Sequence, residues 1–188
     1  MKRFLIIFFI LCIFFSLSSA LKFQKVDVEY SQNGSKITSI IIFQKTPGIT
    51  NWLQVLLASE FTTDLDLLTY VGVIYLSEIP LPCNFADSKI KLTLGGQNEP
   101  IEYISIQSDS SEGVITYQIS MEDLYKMSKH SAGEFIVTGG NTKKVLSFTY
   151  NPAHVKKFMA AILPDYLYVL HHKLSRVLPT SEDSPETP

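Results

Sequence analysis

The feature that most constrains the fold is an alternation of apolar and polar residues with a period of two. It is clearest in Lys89–Leu94, where every second residue is apolar, and Ile101–Ile106 is nearly as regular. Two further segments, Val114–Ile119 and Lys144–Tyr150, are rich in β-branched and aromatic residues. Such alternation is typical of antiparallel sheets with one face in a core and the other in water.

Turn-forming residues separate these segments. Gln32–Ser35 contains Asn-Gly, a strong hairpin signal, and Gly139–Thr142, Asp109–Gly113 and Gly95-Gly96 mark further turns. Gly72 lies inside an apolar run, where glycine is often found at a bulge or bend. The spacing of the turns predicts strands that pair as antiparallel neighbours.

Two other segments do not show a strict alternation of apolar and polar residues. Asn51–Thr62 fits either a buried strand or a short helix, and we favour a strand because Phe61-Thr62-Thr63 continues with β-type residues. Ser120 stands three residues before Asp123, which resembles a capping box and predicts a helix to about Lys129.

A second helix is predicted to begin at Asn151-Pro152, with asparagine as the N-cap and proline in the first turn. Pro164 is expected to kink or end this helix, and Asp165 can cap a new one. The first part has one apolar face, made of Val155, Phe158, Met159, Ile162 and Leu163.

The last helical segment carries the candidate contact residues. Leu167, Leu170, Leu174 and Val177 recur at helical spacing, opposite polar residues. In one interpretation, this stripe packs against an open face of a sheet. The other leaves part of it exposed as a docking surface for a partner helix or a membrane interface.

These elements together predict a mainly β protein: an antiparallel β-sandwich-like domain with one short helix and a C-terminal helical segment. Residues 1–20 have the layout of a signal peptide, with Lys2-Arg3, the apolar run Phe4–Phe15 and the small residues Ser18–Ala20. The domain is then expected to span residues 21–178, followed by an acidic, proline-rich tail, 179–188, that composition predicts to be disordered.

Charge and cysteine content narrow the functional classes. Loss of Lys2 and Arg3 lowers Lys plus Arg from 16 to 14 while Asp plus Glu stays at 18, so the net charge moves from −2 to −4. A mildly acidic chain without basic clusters is a poor nucleic-acid binder. Cys83 is then the only cysteine, so an internal disulfide is excluded, and burial or an intermolecular bond both remain open.

No catalytic, cofactor or metal motif is recognisable in the sequence. Neither a Gly-x-Ser-x-Gly elbow, nor a His-Glu-x-x-His pair, nor a phosphate-binding glycine loop occurs. Asp64 and Asp66 are expected to share one face of a strand, and with His130 and His154 they are the residues from which a hydrolase site could be assembled.

The sequence therefore favours an exported, secreted or periplasmic, non-enzymatic binding or accessory module whose partner is a protein or envelope component. Two alternatives stay open. One is an exported hydrolase with residues drawn from distant strands. The other is an envelope-associated structural protein docked through its C-terminal helix.

Overall fold

The computed structural model describes residues 25–45, 51–77, 89–95, 100–101, 103–108, 112–139 and 142–177. Nine strands and two helices lie within these ranges. They are β1 (Asp27–Tyr30), β2 (Lys36–Gln44), β3 (Asn51–Phe61), β4 (Leu67–Ser77), β5 (Lys89–Leu94), β6 (Tyr103–Ser108), β7 (Glu112–Gln118), α1 (Met121–Met127), β8 (Ala132–Gly139), β9 (Thr142–Thr149) and α2 (Pro152–Val177).

The strands form two antiparallel sheets. The larger sheet has the order β1-β2-β3-β4-β7-β6, and the smaller one has the order β5-β8-β9. The predicted fold class is confirmed: the protein is mainly antiparallel β, with one short helix and one C-terminal helix.

One face of the larger sheet, called here the packed face, forms the main core with the smaller sheet and both helices. Leu57 of β3 and Val71 of β4 contribute from the larger sheet, and Leu92 of β5 contributes from the smaller one. Aromatic pairs join the two layers: Phe43 lies 4.9 Å from Phe148, and Tyr75 lies 5.9 Å from Phe135, between ring centroids. This interface holds the two sheets together.

The opposite face of the larger sheet has a smaller apolar cluster of its own. Its members are also buried and come from β2, β3, β4 and β7: Ile41, Leu56, Ala58, Ile74 and Val114. No described residue from outside this sheet belongs to the cluster. The central strands are therefore buried on both faces, which explains why β3 shows an apolar run rather than alternation.

Local signals in the sequence match the observed elements closely. β1 and β2 pair on either side of the predicted Asn-Gly turn, where Ser35 N donates to the side chain of Asn33 at 3.2 Å. The capping box at α1 is confirmed, because Ser120 and Asp123 satisfy each other's backbone N–H. The N-cap of α2 is confirmed as well: the Asn151 side chain accepts from Ala153 N at 2.9 Å.

The predicted helix end at Pro164 and the predicted bulge at Gly72 are both wrong. The C-terminal segment is one helix that runs through Pro164, and Asp165 does not cap a new one. Proline removes one backbone N–H, but the carbonyl it leaves without a partner belongs to the exposed residue Ala160, where water can bind it. Gly72 does not mark a bulge, since its pairing with both neighbours is regular. The described irregularities of this sheet lie between Ile41 and Phe43 and between Tyr103 and Ser105.

The turn glycines give a test of the fold. Gly34 and Gly95 both have positive φ, 84° and 66°, and a Cβ on Gly95 would lie 2.9 Å from the backbone nitrogen of Met127. We expect Gly95→Ala to cost ~2–4 kcal/mol, from backbone strain plus the clash with α1. Gly34→Ala, whose new Cβ meets only Thr63 at 3.5 Å, should cost ~1 kcal/mol. Urea denaturation of both variants measures the difference, and equal losses would contradict the close approach at α1.

Candidate functional site

The C-terminal helix α2 is apolar on two different sides. Its inner side packs on the sheets through four buried residues, Val155, Phe158, Ile162 and Val169. Three of these belong to the main core, and α2 contacts β2, β3 and β4 of the larger sheet. At 100° per residue these side chains lie within an arc of about 60°.

The other apolar side of α2 faces solvent. Leu163, Leu167, Leu170 and Leu174 are exposed by 44%, 52%, 42% and 53%, and we call these four residues the leucine seam. Helical geometry places the seam about 120° around the helix axis from the inner side. The interpretation in which this stripe packs against the sheet is therefore wrong for Leu167, Leu170 and Leu174. Val177 is the last residue of the helix, and its side chain is not among those that the structure describes.

Polar and aromatic contacts fix the rotation of the exposed half of α2. Lys36 at the start of β2 forms an ion pair with Asp165 at 2.8 Å, and both side chains are largely buried. Phe61 at the end of β3 meets Tyr168 edge to face, with centroids 6.1 Å apart. These contacts, together with the burial of Val169, hold the inner side on the sheet and so direct the seam outwards.

The surface beside the leucine seam is cationic. Asp165, which is bound to Lys36, is the only acidic residue of α2. Lys156, Lys157 and His171 are exposed. Lys173 is paired with Asp66 at 3.2 Å, but both side chains are more than half exposed, so water and salt screen this pair.

Of the four residues suggested for a hydrolase site, Asp66 and His154 lie near opposite ends of α2. Asp64 and Asp66 lie in the turn between β3 and β4 rather than on one face of a strand, so that prediction is wrong. Asp66 contacts Lys173, which is 19 residues along α2 from His154. At 1.5 Å per residue Lys173 lies about 28 Å along the helix axis from His154, so Asp66 lies near the far end of α2.

The two histidines of that set differ in their surroundings. His130 follows α1 and is exposed, whereas His154 is buried in the first turn of α2. Burial, and then the charge of Lys157, lowers the pKa of His154. Within the described residues, His, Cys, Asp and Glu form no group of three that could hold a metal ion.

A buried carboxyl group that the sequence did not reveal lies at the end of β3. Glu60 is only 4% exposed, pairs across the sheet with Ile37 and Leu68, and has a hydrogen bond with Ser35. Burial raises its pKa above the ordinary value of 4.5, and the bond with Ser35 acts in the opposite direction. Burial, and then the charge of Glu60, raises the pKa of Tyr70 to about 12. Glu60 interrupts the apolar run of β3, but nothing in its spacing distinguishes it from an exposed carboxylate.

We expect Glu60→Gln to stabilise the protein increasingly as the pH rises above 4.5. Above pH 4.5 the Glu60 carboxyl ionises in the unfolded chain before it ionises in the folded chain. The wild-type protein therefore loses stability until the folded carboxyl ionises as well. Glutamine does not titrate, so the variant does not lose stability in this way. Thermal melts of both proteins from pH 4 to 8 measure the effect. Glu29→Gln, exposed on β1, is the matched control, and a constant difference between Glu60→Gln and wild type across this range would refute the assignment.

His154→Gln should have the opposite pH dependence. Because its pKa is lowered by folding, the folded chain resists protonation, and stability is lost as the pH falls below the ordinary value of 6.5. The variant should lose less stability than wild type between pH 7 and pH 5 in the same melts. His171→Gln, at an exposed position of the same helix, is the control; parallel curves for His154→Gln and wild type would contradict this prediction.

Several sequence predictions fall on residues outside those described, namely the leader 1–20, Cys83 and the tail 179–188. Among the described helices, none has both the length and the apolar character required to cross a membrane. The sequence matches no protein-family model, and neither a curated protein nor a solved structure is significantly similar to the chain.

Proposed function

We propose that this protein is an exported, non-enzymatic binding module whose docking surface is the leucine seam of α2. The observation that carries the proposal is the row of four leucines, each about half exposed, on a helix whose other side is already packed. Monomeric proteins scatter exposed leucines singly, whereas a contiguous apolar row is typical of an interaction site. The signal-peptide pattern of residues 1–20 supports export.

The hydrolase alternative receives less support from the geometry. Two of its candidates, Asp66 and His154, lie near opposite ends of α2, and general acid–base catalysis requires such groups within hydrogen-bonding reach of one another or of substrate. A docking role needs only a surface held in a fixed orientation. The ion pair between Lys36 and Asp165 and the inner side of α2 provide that orientation.

Photo-crosslinking in the exported compartment of the source organism tests this function. A photoreactive residue at position 167 should give a defined adduct, and Leu170→Gln should weaken that adduct by about tenfold, since glutamine keeps the helix but removes apolar contact area. The same group at position 145, where Val145 is 45% exposed on β9, should give none. The purified exported chain should begin after Ala20.

Two results would contradict the proposal. One is a chain recovered from the cytosol with Met1 intact, which would exclude export by cleavage of the leader. The other concerns position 167. Either the absence of an adduct there, or an adduct that Leu170→Gln does not weaken, would exclude docking through the leucine seam.

A further inference from the structure

The width of the leucine seam distinguishes between classes of partner. Leu163, Leu167, Leu170 and Leu174 follow the spacing four, three, four and lie within an arc of about 60°. A strict stripe of this kind is the narrow seam of a two-helix contact. A helix that lies on a lipid surface instead presents a broad apolar face, often with bulky aromatics among its leucines.

The same spacing assigns heptad positions to the helix. Leu163 and Leu170 take position d, and Leu167 and Leu174 take position a, so a partner helix can pack its own apolar residues between them. Towards the N-terminus the exposed residue Ala160 continues the seam, and Lys156 then ends it with a charge. The contact available to a partner therefore covers about four turns of α2, from Ala160 to Leu174.

The positions beside the seam determine which partner fits. Lys157 and His171 take position e and Lys173 takes position g, while no acidic residue of α2 takes either position. Charges at e and g set partner choice in helix pairs, because they lie next to the corresponding residues of the other helix. The other e and g residues along the seam, Met159, Pro164 and Tyr166, are uncharged, so the two lysines favour glutamate and aspartate opposite them.

Building on the function proposed above, we infer that the leucine seam binds an amphipathic helix of another protein, which has apolar residues at heptad spacing flanked by Asp or Glu. A second copy of this chain fits less well. The α2 helix of that copy has no acidic residue at position e or g to lie opposite Lys157 or Lys173, whichever way the two helices run.

Designed peptides test this inference directly. An acidic helical peptide with leucine at a and d and glutamate at e and g is compared with a basic peptide that has lysine at e and g. The chain from Leu21 to Pro188 should bind the acidic peptide at least tenfold more tightly, as measured by fluorescence anisotropy. The preference should decrease as salt is raised, because the charges are exposed.

Substitutions in the protein locate the binding surface. The double variant Leu167→Gln, Leu170→Gln should weaken acidic-peptide binding at least tenfold, and both positions are exposed, so circular dichroism melts should show the fold retained. Val145→Gln, an equally exposed apolar position on β9, should bind as wild type does. His171→Glu should reduce the discrimination between the two peptides.

Four outcomes would overturn the inference. They are equal binding of the two peptides, acidic-peptide binding unaffected by the double variant, binding to anionic phospholipid vesicles through the leucines with no peptide binding, and a dimer that Leu170→Gln dissociates. If crosslinks at position 167 persist in the exported compartment while the acidic peptide fails to bind, the partner class is wrong and the docking function stands. If both fail, the proposed function fails with it.

Discussion

The rest of the structure depends on covering the packed face of the six-stranded sheet. This face presents Leu57, Val71 and other fully buried side chains. It is covered by the smaller sheet, by α1 and by the first half of α2. Apolar side chains removed from water in this way supply the main stabilisation of a domain. Once α2 has placed Val155, Phe158 and Ile162 in that core, its rotation is fixed, and every other residue of the helix is placed as a consequence.

β5, at one edge of the smaller sheet, could be predicted from the sequence because its apolar and polar residues alternate without interruption. β5 alternates Lys, Ile, Lys, Leu, Thr, Leu, and only its apolar residues enter the core. β3 is different because both of its faces are buried, with Leu57 on one and Leu56 on the other. Burial on both faces removes the polar half of the pattern, so periodicity alone could not separate strand from helix there.

The position of the leucine seam could be predicted only in part. Leu167, Leu170 and Leu174 are recognisable as a stripe, but the sequence of α2 contains a second stripe that continues through Val169, and periodicity does not say which one packs. The entry of Val155, Phe158 and Ile162 into the main core decides this. The ion pair between Lys36 and Asp165, which joins residues 129 positions apart, holds the helix in the same rotation. The expected break at Pro164 also obscured the continuity, because it suggested two short helices where the structure has one.

The energetics of the seam explain why charge beside it matters. Fully burying a leucine contributes about 1.5–3 kcal/mol, so four half-exposed leucines can contribute roughly 3–6 kcal/mol when a partner covers them. Association costs at least ~4 kcal/mol in lost translational and rotational freedom. The leucines alone are therefore enough to bring a helix to the surface but too few to hold one tightly. Selectivity must come from groups that distinguish one apolar helix from another. On this face the charged groups are Lys157 and Lys173, which disfavour basic partner helices and favour acidic ones.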